Sequence, residues 1–195
     1  MVKPFTVSKR LHIPSMLARA GVQRGLVLTD ACRLSAPKSL APSVPRGLGV
    51  IVRPATDLAL WQAAGRQKGW TVLTSGLHPQ RGSRMPHHAR EPELSGYRAA
   101  GALTAAAHSR RALYHARRSG VRMVLVSPVF PTRSHPGAMG LGVHRFSRLI
   151  RGCRLDIFAL GGVTRQTSAR LRQIPGLKGI AAIDGWTRRG MAARL

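Results

Sequence analysis

Met123-Val124-Leu125-Val126, halted by Ser127-Pro128, is a run of four apolar residues with no polar break. A strand buried on both faces reads this way, and such strands belong to parallel sheets covered by helices. The pattern repeats on both sides of this run. Downstream, Leu155 to Leu160 is a strand closed by Gly161-Gly162, and Gly179 to Ile183 is a last strand broken at Gly185. Upstream, Leu26 to Thr29, Gly49 to Val52, Thr71 to Thr74 and Ala102 to Ala107 read as strands, with a weaker one near Arg84 to His88. Helices fill the gaps. One is capped by Thr56 and runs to about Gly69, and a short one spans Leu94 to Ala100. Arg110 to Ser119 is capped by Ser109 and closed by Gly120. Val143 to Ile150 has Phe146, Leu149 and Ile150 as its buried stripe, and a last helix is capped by Thr164 and runs to Gln173.

Strand thus alternates with helix about eight times. The expected fold is α/β, a compact (β/α)8 TIM barrel in a single domain over residues 25–195, preceded by a basic tail over residues 1–24. About 170 residues would supply eight units where roughly 250 are usual. On pattern alone a doubly wound open sheet stays open.

Composition narrows the function classes. Hydrophobic residues make up 44% of the 195, which is enough for a core. Lys and Arg total 32 against 6 acids, a formal charge of +26. Loose polyanion binding follows from that charge. Aromatics are only 5%, poor material for base-stacking platforms, and no basic run reaches five residues. Cys32 and Cys153 show no CxxC spacing and read as two small buried side chains. No apolar stretch reaches the length of a membrane span, so no membrane partner is expected. The first 24 residues lack an apolar h-region, which argues against a secretory signal. Composition leaves an organelle-targeting peptide open, but a frayed basic tail is simpler and a cytoplasmic location is expected.

In a (β/α) barrel the chemistry lies on loops after the strands. Three such loops stand out. Ser127 to Gly137 is stiffened by prolines and offers Thr132, Arg133 and Ser134 to an anion, with guanidinium matched to phosphate oxygens. Gly161-Gly162 before Thr164 lets the backbone approach a ligand at a helix N-terminus. Ile183-Asp184-Gly185 follows the last strand, where such barrels bind phosphate. A carboxylate repels phosphate, so Asp184 reads as turned away, as a helix cap, or as the partner of a nearby arginine.

SPVFPT, Ser127 to Thr132, is similar to the PVFPT signature of thiamine phosphate synthases and the related thiazole tautomerases. SHPG from Ser134, ALGGVT from Ala159 and IAAIDGW from Ile180 follow in the family's order. The match is good from Val121 to Trp186 and patchy from Leu26 to Ser119. The resemblance implies that hydroxymethylpyrimidine pyrophosphate is coupled to thiazole phosphate with release of pyrophosphate, with Mg²⁺ on the pyrophosphate. It makes Thr132 and Ser134 substrate contacts and gives Gly161, Gly162, Ile183 and Asp184 backbone donors to phosphate. Arg53, at the end of the second strand, matches a pyrophosphate-binding arginine. The catalytic candidates are therefore Thr132, Ser134, His135 and His108, and the phosphate-binding candidates are Arg53, Arg133, Gly161, Gly162, Ile183 and Asp184. Small phosphorylated substrates are the expected partners, and the sequence is compatible with a homo-oligomer.

The departures from the family pattern are specific. His135 stands near a family lysine, Pro54-Ala55 replaces another, and Ser75-Gly76 stands where Asn-Asp is usual. Met85-Pro86-His87-His88 occupies the region of a histidine and acidic metal ligand, with Glu91 and Glu93 the nearest acids. No metal ligand can be assigned, and adjacent histidines diverge on regular backbone. Two alternatives stay open: a thiazole tautomerase with His108 or His135 as base, and a non-catalytic barrel that binds phosphates or nucleic acid.

Overall fold

The computed structural model describes residues 25–40, 44, 47–76, 86–95, 102–121 and 123–187. The basic tail over residues 1–24, part of the weak strand region and most of the helix expected over Leu94 to Ala100 lie outside these residues. Within them the strands are β1 Gly25–Leu28, β2 Gly49–Val52, β3 Thr71–Ser75, β4 His87–Ala89, β5 Thr104–Ala107, β6 Met123–Val126, β7 Asp156–Ala159 and β8 Leu177–Ala182. Each pairs in parallel with the next, and β8 returns to β1, so the sheet closes as a barrel. The open-sheet alternative is excluded. Trp186 reinforces the closure by donating its indole N–H to the Leu26 carbonyl at 3.2 Å.

Alternation along each strand separates two apolar layers. Val124, Val126, Ile157 and Ala159 pack with Ala112, Leu113, Ala116, Phe146 and Ile150 of the surrounding helices. Met123, Leu125 and Phe158 point the other way, into the barrel, with Leu26, Ile51, Leu73 and Ala181. The helices are α1 Leu58–Lys68, α2 Arg110–Arg118, α3 Gly142–Ile150 and the short α4 Arg165–Ser168. Phe146 and Ile150, four residues apart, put one face of α3 against the barrel. Burying side chains of this size contributes about 1.5–3 kcal/mol each.

Helix starts follow capping chemistry. Ser109 accepts from the Ala112 amide, and Thr164 forms a reciprocal capping box with Thr167. For α1 the cap is Asp57 rather than the expected Thr56. The Thr56 hydroxyl is taken by the Arg53 carbonyl at 2.7 Å and by Thr29 Oγ1 at 2.8 Å. At the other expected helix, the described part is a 3-10 turn over Glu91–Ser95. Cys32 is exposed and Cys153 half-buried, both as free thiols, because Cys32 falls in the turn after β1 rather than in the core.

Candidate functional site

The carboxyl ends of the strands open into one cavity of about 590 Å³. Its walls come from the end of β1 and the loops after β1, β2, β5, β6, β7 and β8. All ten residues singled out from sequence line it: Arg53, His108, Thr132, Arg133, Ser134, His135, Gly161, Gly162, Ile183 and Asp184. Arg33 lines it as well.

The loop after β6 is built onto the loop after β7. The Val129 amide donates to the Leu160 carbonyl at 2.9 Å and the Phe130 amide to the Gly161 carbonyl at 3.0 Å. The Ser127-Pro128 peptide at its start is cis. Gly161 and Gly162 have φ of 93° and 61°, a region that favours glycine, and both lie against the backbone of Pro128 to Pro131. The amides of Gly161, Gly162 and Val163, and those of Ile183 and Asp184, donate to no described residue. Backbone N–H groups left unpaired at a cavity wall are donors available to a ligand.

The charged side of the mouth is organised by Arg33, which sequence reading missed. One Arg33 Nη donates to Asp184 Oδ2 at 3.1 Å; the other donates to Asp30 Oδ2 at 2.9 Å and Ser134 Oγ at 2.6 Å. Arg53 donates to the same Asp30 oxygen at 2.6 Å, and its Nε to the Thr29 carbonyl at 2.5 Å. Arg133 Nε lies 3.7 Å from Asp184 Oδ2. Asp184 is thus the partner of nearby arginines, one of the readings its position left open. Hydrogen bonding from the Arg33 side chain holds the Asp30 carboxyl well below the usual carboxylate range. The one sequence signal for Arg33 was its spacing of three residues from Asp30 after a strand.

His108 is held at the β5 end. Its Nδ1 faces the Ser127 carbonyl at 2.7 Å, so that nitrogen carries the hydrogen, and Nε2 lies 3.6 Å from Glu91 Oε2. Glu91 accepts from the His108 amide at 2.8 Å and from Ser109 Oγ at 3.2 Å.

His87 and His88 are adjacent on β4 and both buried, so they face opposite sides of the sheet. Ala89 packs with the helix layer, which turns His88 into the barrel, where its Nδ1 meets Thr104 Oγ1 at 2.8 Å. Burial pushes the His88 imidazole down to about 4, with Glu93 opposing that shift and His87 adding to it. A histidine buried neutral stabilises the fold fully above its unfolded value near 6.5, and that contribution is lost as pH falls toward 4. Between pH 7.5 and pH 5 the loss is about 2 kcal/mol, a fall in Tm of about 4–8 °C. Thermal melts of wild type and His88→Gln check it: a variant curve as steep as wild type would remove His88 as the cause.

The donor set does not fit a hard divalent cation. Mg²⁺ takes carboxylate oxygens. The chain's six acids are Asp30, Asp57, Glu91, Glu93, Asp156 and Asp184. Of the two at the charged side of the mouth, Asp30 and Asp184, both are engaged by arginine. Glu93 is paired with Arg90, and Asp57 caps α1. No cluster of three metal-ligating side chains forms among the described residues. Among them, too, no helix is long and apolar enough to cross a membrane.

The family model described as thiamine monophosphate synthase matches residues 88–185. A putative thiamine-phosphate synthase 2 of Aquifex aeolicus is 31% identical over 78 residues, covering 40% of this chain and 41% of that protein. A thiamine-phosphate synthase of Prochlorococcus marinus is 27% identical over 77 residues, 40% of this chain and 22% of its own length. The chain thus spans about two fifths and one fifth of these relatives. In fold it is similar to a thiamine phosphate pyrophosphorylase from Pyrococcus furiosus, with TM-score 0.61 at 14% identity over 87% of this chain and 91% of that one. A structure described as native KDPGal follows at TM-score 0.53 and 14% identity, covering 80% and 81%.

Proposed function

Because the chain belongs to the thiamine monophosphate synthase family, we propose that its cavity joins hydroxymethylpyrimidine pyrophosphate to thiazole phosphate. The observation that carries this reading is one cavity holding three arginines, four hydroxyl side chains and a row of amides that donate to no described residue. Two phosphorylated substrates need that many donors on separate walls. Arg33, Arg53 and Arg133 face the pyrophosphate. Thr132, Ser134 and the amides of Gly161, Gly162, Ile183 and Asp184 hold the thiazole phosphate. His135 donates from the family's lysine position.

The reaction follows from charge. The bond between the pyrimidine methylene and the pyrophosphate oxygen breaks, and its electron pair leaves with pyrophosphate. The guanidinium groups stabilise that developing charge, which is where preorganised donors act most strongly. The thiazole nitrogen then gives its lone pair to the methylene carbon. Leu28, Pro128, Leu160 and Val163 form apolar wall that keeps water from the cation. Arginines, rather than carboxylate-bound Mg²⁺, neutralise the pyrophosphate.

Thiazole tautomerisation is a second reading, favoured by the fixed hydrogen on His108 Nδ1, which leaves Nε2 as a base. An assay separates the two. Both substrates are supplied with Mg²⁺ and then with excess chelator, and thiamine phosphate is followed by fluorescence after oxidation. Product in both conditions is expected. Product only with Mg²⁺ keeps the synthase and removes the arginine substitution. No product, with thiazole phosphate still bound, moves the function to tautomerisation.

A further inference from the structure

We propose that the outer face of α2 and α3, beside the barrel mouth, binds the phosphate backbone of single-stranded nucleic acid through arginines that take no part in the chemistry proposed there. From Leu94 to Leu155 the chain holds eleven arginines and no acid. The two helices gather many of them. On α2 the buried side is Ala112, Leu113 and Ala116, which leaves Arg110, Arg111, Tyr114, Arg117 and Arg118 exposed. On α3, Phe146 and Ile150 face in, and Arg145 and Arg148 face out, with exposed Arg151 just beyond. The faces are continuous, because Arg110 Nη1 donates to the carbonyls of Leu149 and Arg151 at 2.9 and 3.3 Å. Between them lies an open depression of about 520 Å³ whose walls include Arg110, Arg145, Arg148 and Arg151, with His108 at the edge where it adjoins the barrel mouth.

Clustered guanidiniums repel one another unless an anion lies between them. Among the described residues, carboxylates pair with Arg33, Arg53, Arg90 and Arg133, and with none of the arginines of this face. Among the described residues no carboxylate supplies the counter-charge, which leaves this face open to anions from solution. Arginine's fork matches phosphate oxygens, and an open depression continued by a row of exposed arginines suits a polymer better than an enclosed small molecule. Tyr114, 56% exposed with Arg118 5.9 Å from its ring centre, offers a single stacking surface. One such surface favours backbone tracking over base reading.

Fluorescence anisotropy with a labelled 20-nucleotide single-stranded RNA, and the same sequence as DNA, tests this. Binding to both is expected, falling with salt by about 0.7 in log K per log salt for each contact. The triple variant Arg145→Ala, Arg148→Ala, Arg151→Ala should lose about 2 from that slope and about a hundredfold in affinity at 0.1 M salt. A control removes the same charge elsewhere: Arg66→Ala, Lys68→Ala, Arg172→Ala, all exposed. It should stay within about threefold of wild type if the face, rather than net charge, carries the binding. The corresponding triple lysine variant keeps the charge and should retain binding, which excludes misfolding as the cause. Equal weakening in the control, loss in the lysine variant, or no binding by wild type at 0.1 M salt would overturn the proposal.

Discussion

Arg33→Ala is expected to lower kcat/KM for thiamine phosphate formation by about 10²–10³, the size of effect that follows removal of one preorganised donor from a developing anion. Arg33 is the group that joins the loops after β1, β6 and β8, through Asp30, Ser134 and Asp184. Its removal also costs stability, but less. Asp30 keeps Arg53 at 2.6 Å and the Cys32 amide at 3.1 Å, so the structural loss is about 1–2 kcal/mol. Two measurements separate the roles. The Asp30 carboxyl is held low chiefly by Arg33, so its stabilising contribution is present above the unfolded value near 4 and is lost as pH falls below it. The Tm difference between wild type and Arg33→Ala should therefore narrow from pH 7 to pH 3. The kcat/KM loss, measured at pH 7 and at a temperature where both proteins are folded, should remain. Arg33→Lys keeps a charge without the fork and should recover part of the rate. An Arg33→Ala variant with a lower Tm and unchanged kcat/KM would reduce Arg33 to a structural clamp.

The barrel was legible because its strands are short apolar runs and its loops carry distinctive glycines and prolines. Met123 to Val126 and Gly49 to Val52 need no partner information to be read as buried strands. The candidate residues were legible for a related reason: in a barrel every loop after a strand reaches the same rim, so motif order along the chain becomes proximity in space. Arg33 was not legible, because what defines it is long-range. Ser134 lies 101 residues away and Asp184 lies 151 away, and an arginine in a short turn gives no local sign of either. The Thr56 cap failed for a similar reason. Two capping residues stand side by side, and only the distant Thr29 hydroxyl and the Arg53 carbonyl decide that Thr56 is occupied elsewhere. The polar details of the mouth are set by contacts across the barrel, and single-sequence patterns record the period of a strand but not the identity of its neighbour's loop.

Gly162→Ala is expected to lower Tm by about 10 °C and kcat/KM by about a hundredfold, through the same displaced loop. Two costs add. The residue sits at φ 61°, where a side chain costs about 1–2 kcal/mol. A Cβ there would overlap the Pro131 carbonyl oxygen and lie 2.8 Å from Phe130 Cβ and 3.0 Å from the Phe130 carbonyl carbon. Those atoms are mostly backbone and cannot rotate away, which adds about 1–3 kcal/mol. The sum is about 2–5 kcal/mol, and each kcal/mol is worth about 2–4 °C in a chain of this size. The rate falls because Pro131 precedes Thr132 directly, and a shift of about 1 Å in a positioning loop costs about a hundredfold. Gly176→Ala isolates the first cost. Gly176 has φ 84°, yet a Cβ there meets nothing within 4 Å. That variant should lose only the backbone cost, about 2–8 °C in Tm, and keep full activity. Equal effects from the two variants would mean that backbone conformation alone selects these glycines. A Gly162→Ala protein that is less stable but fully active would mean that the loop after β6 can move without disturbing Thr132 and Ser134, and would remove those two hydroxyls from the substrate-binding role proposed for them.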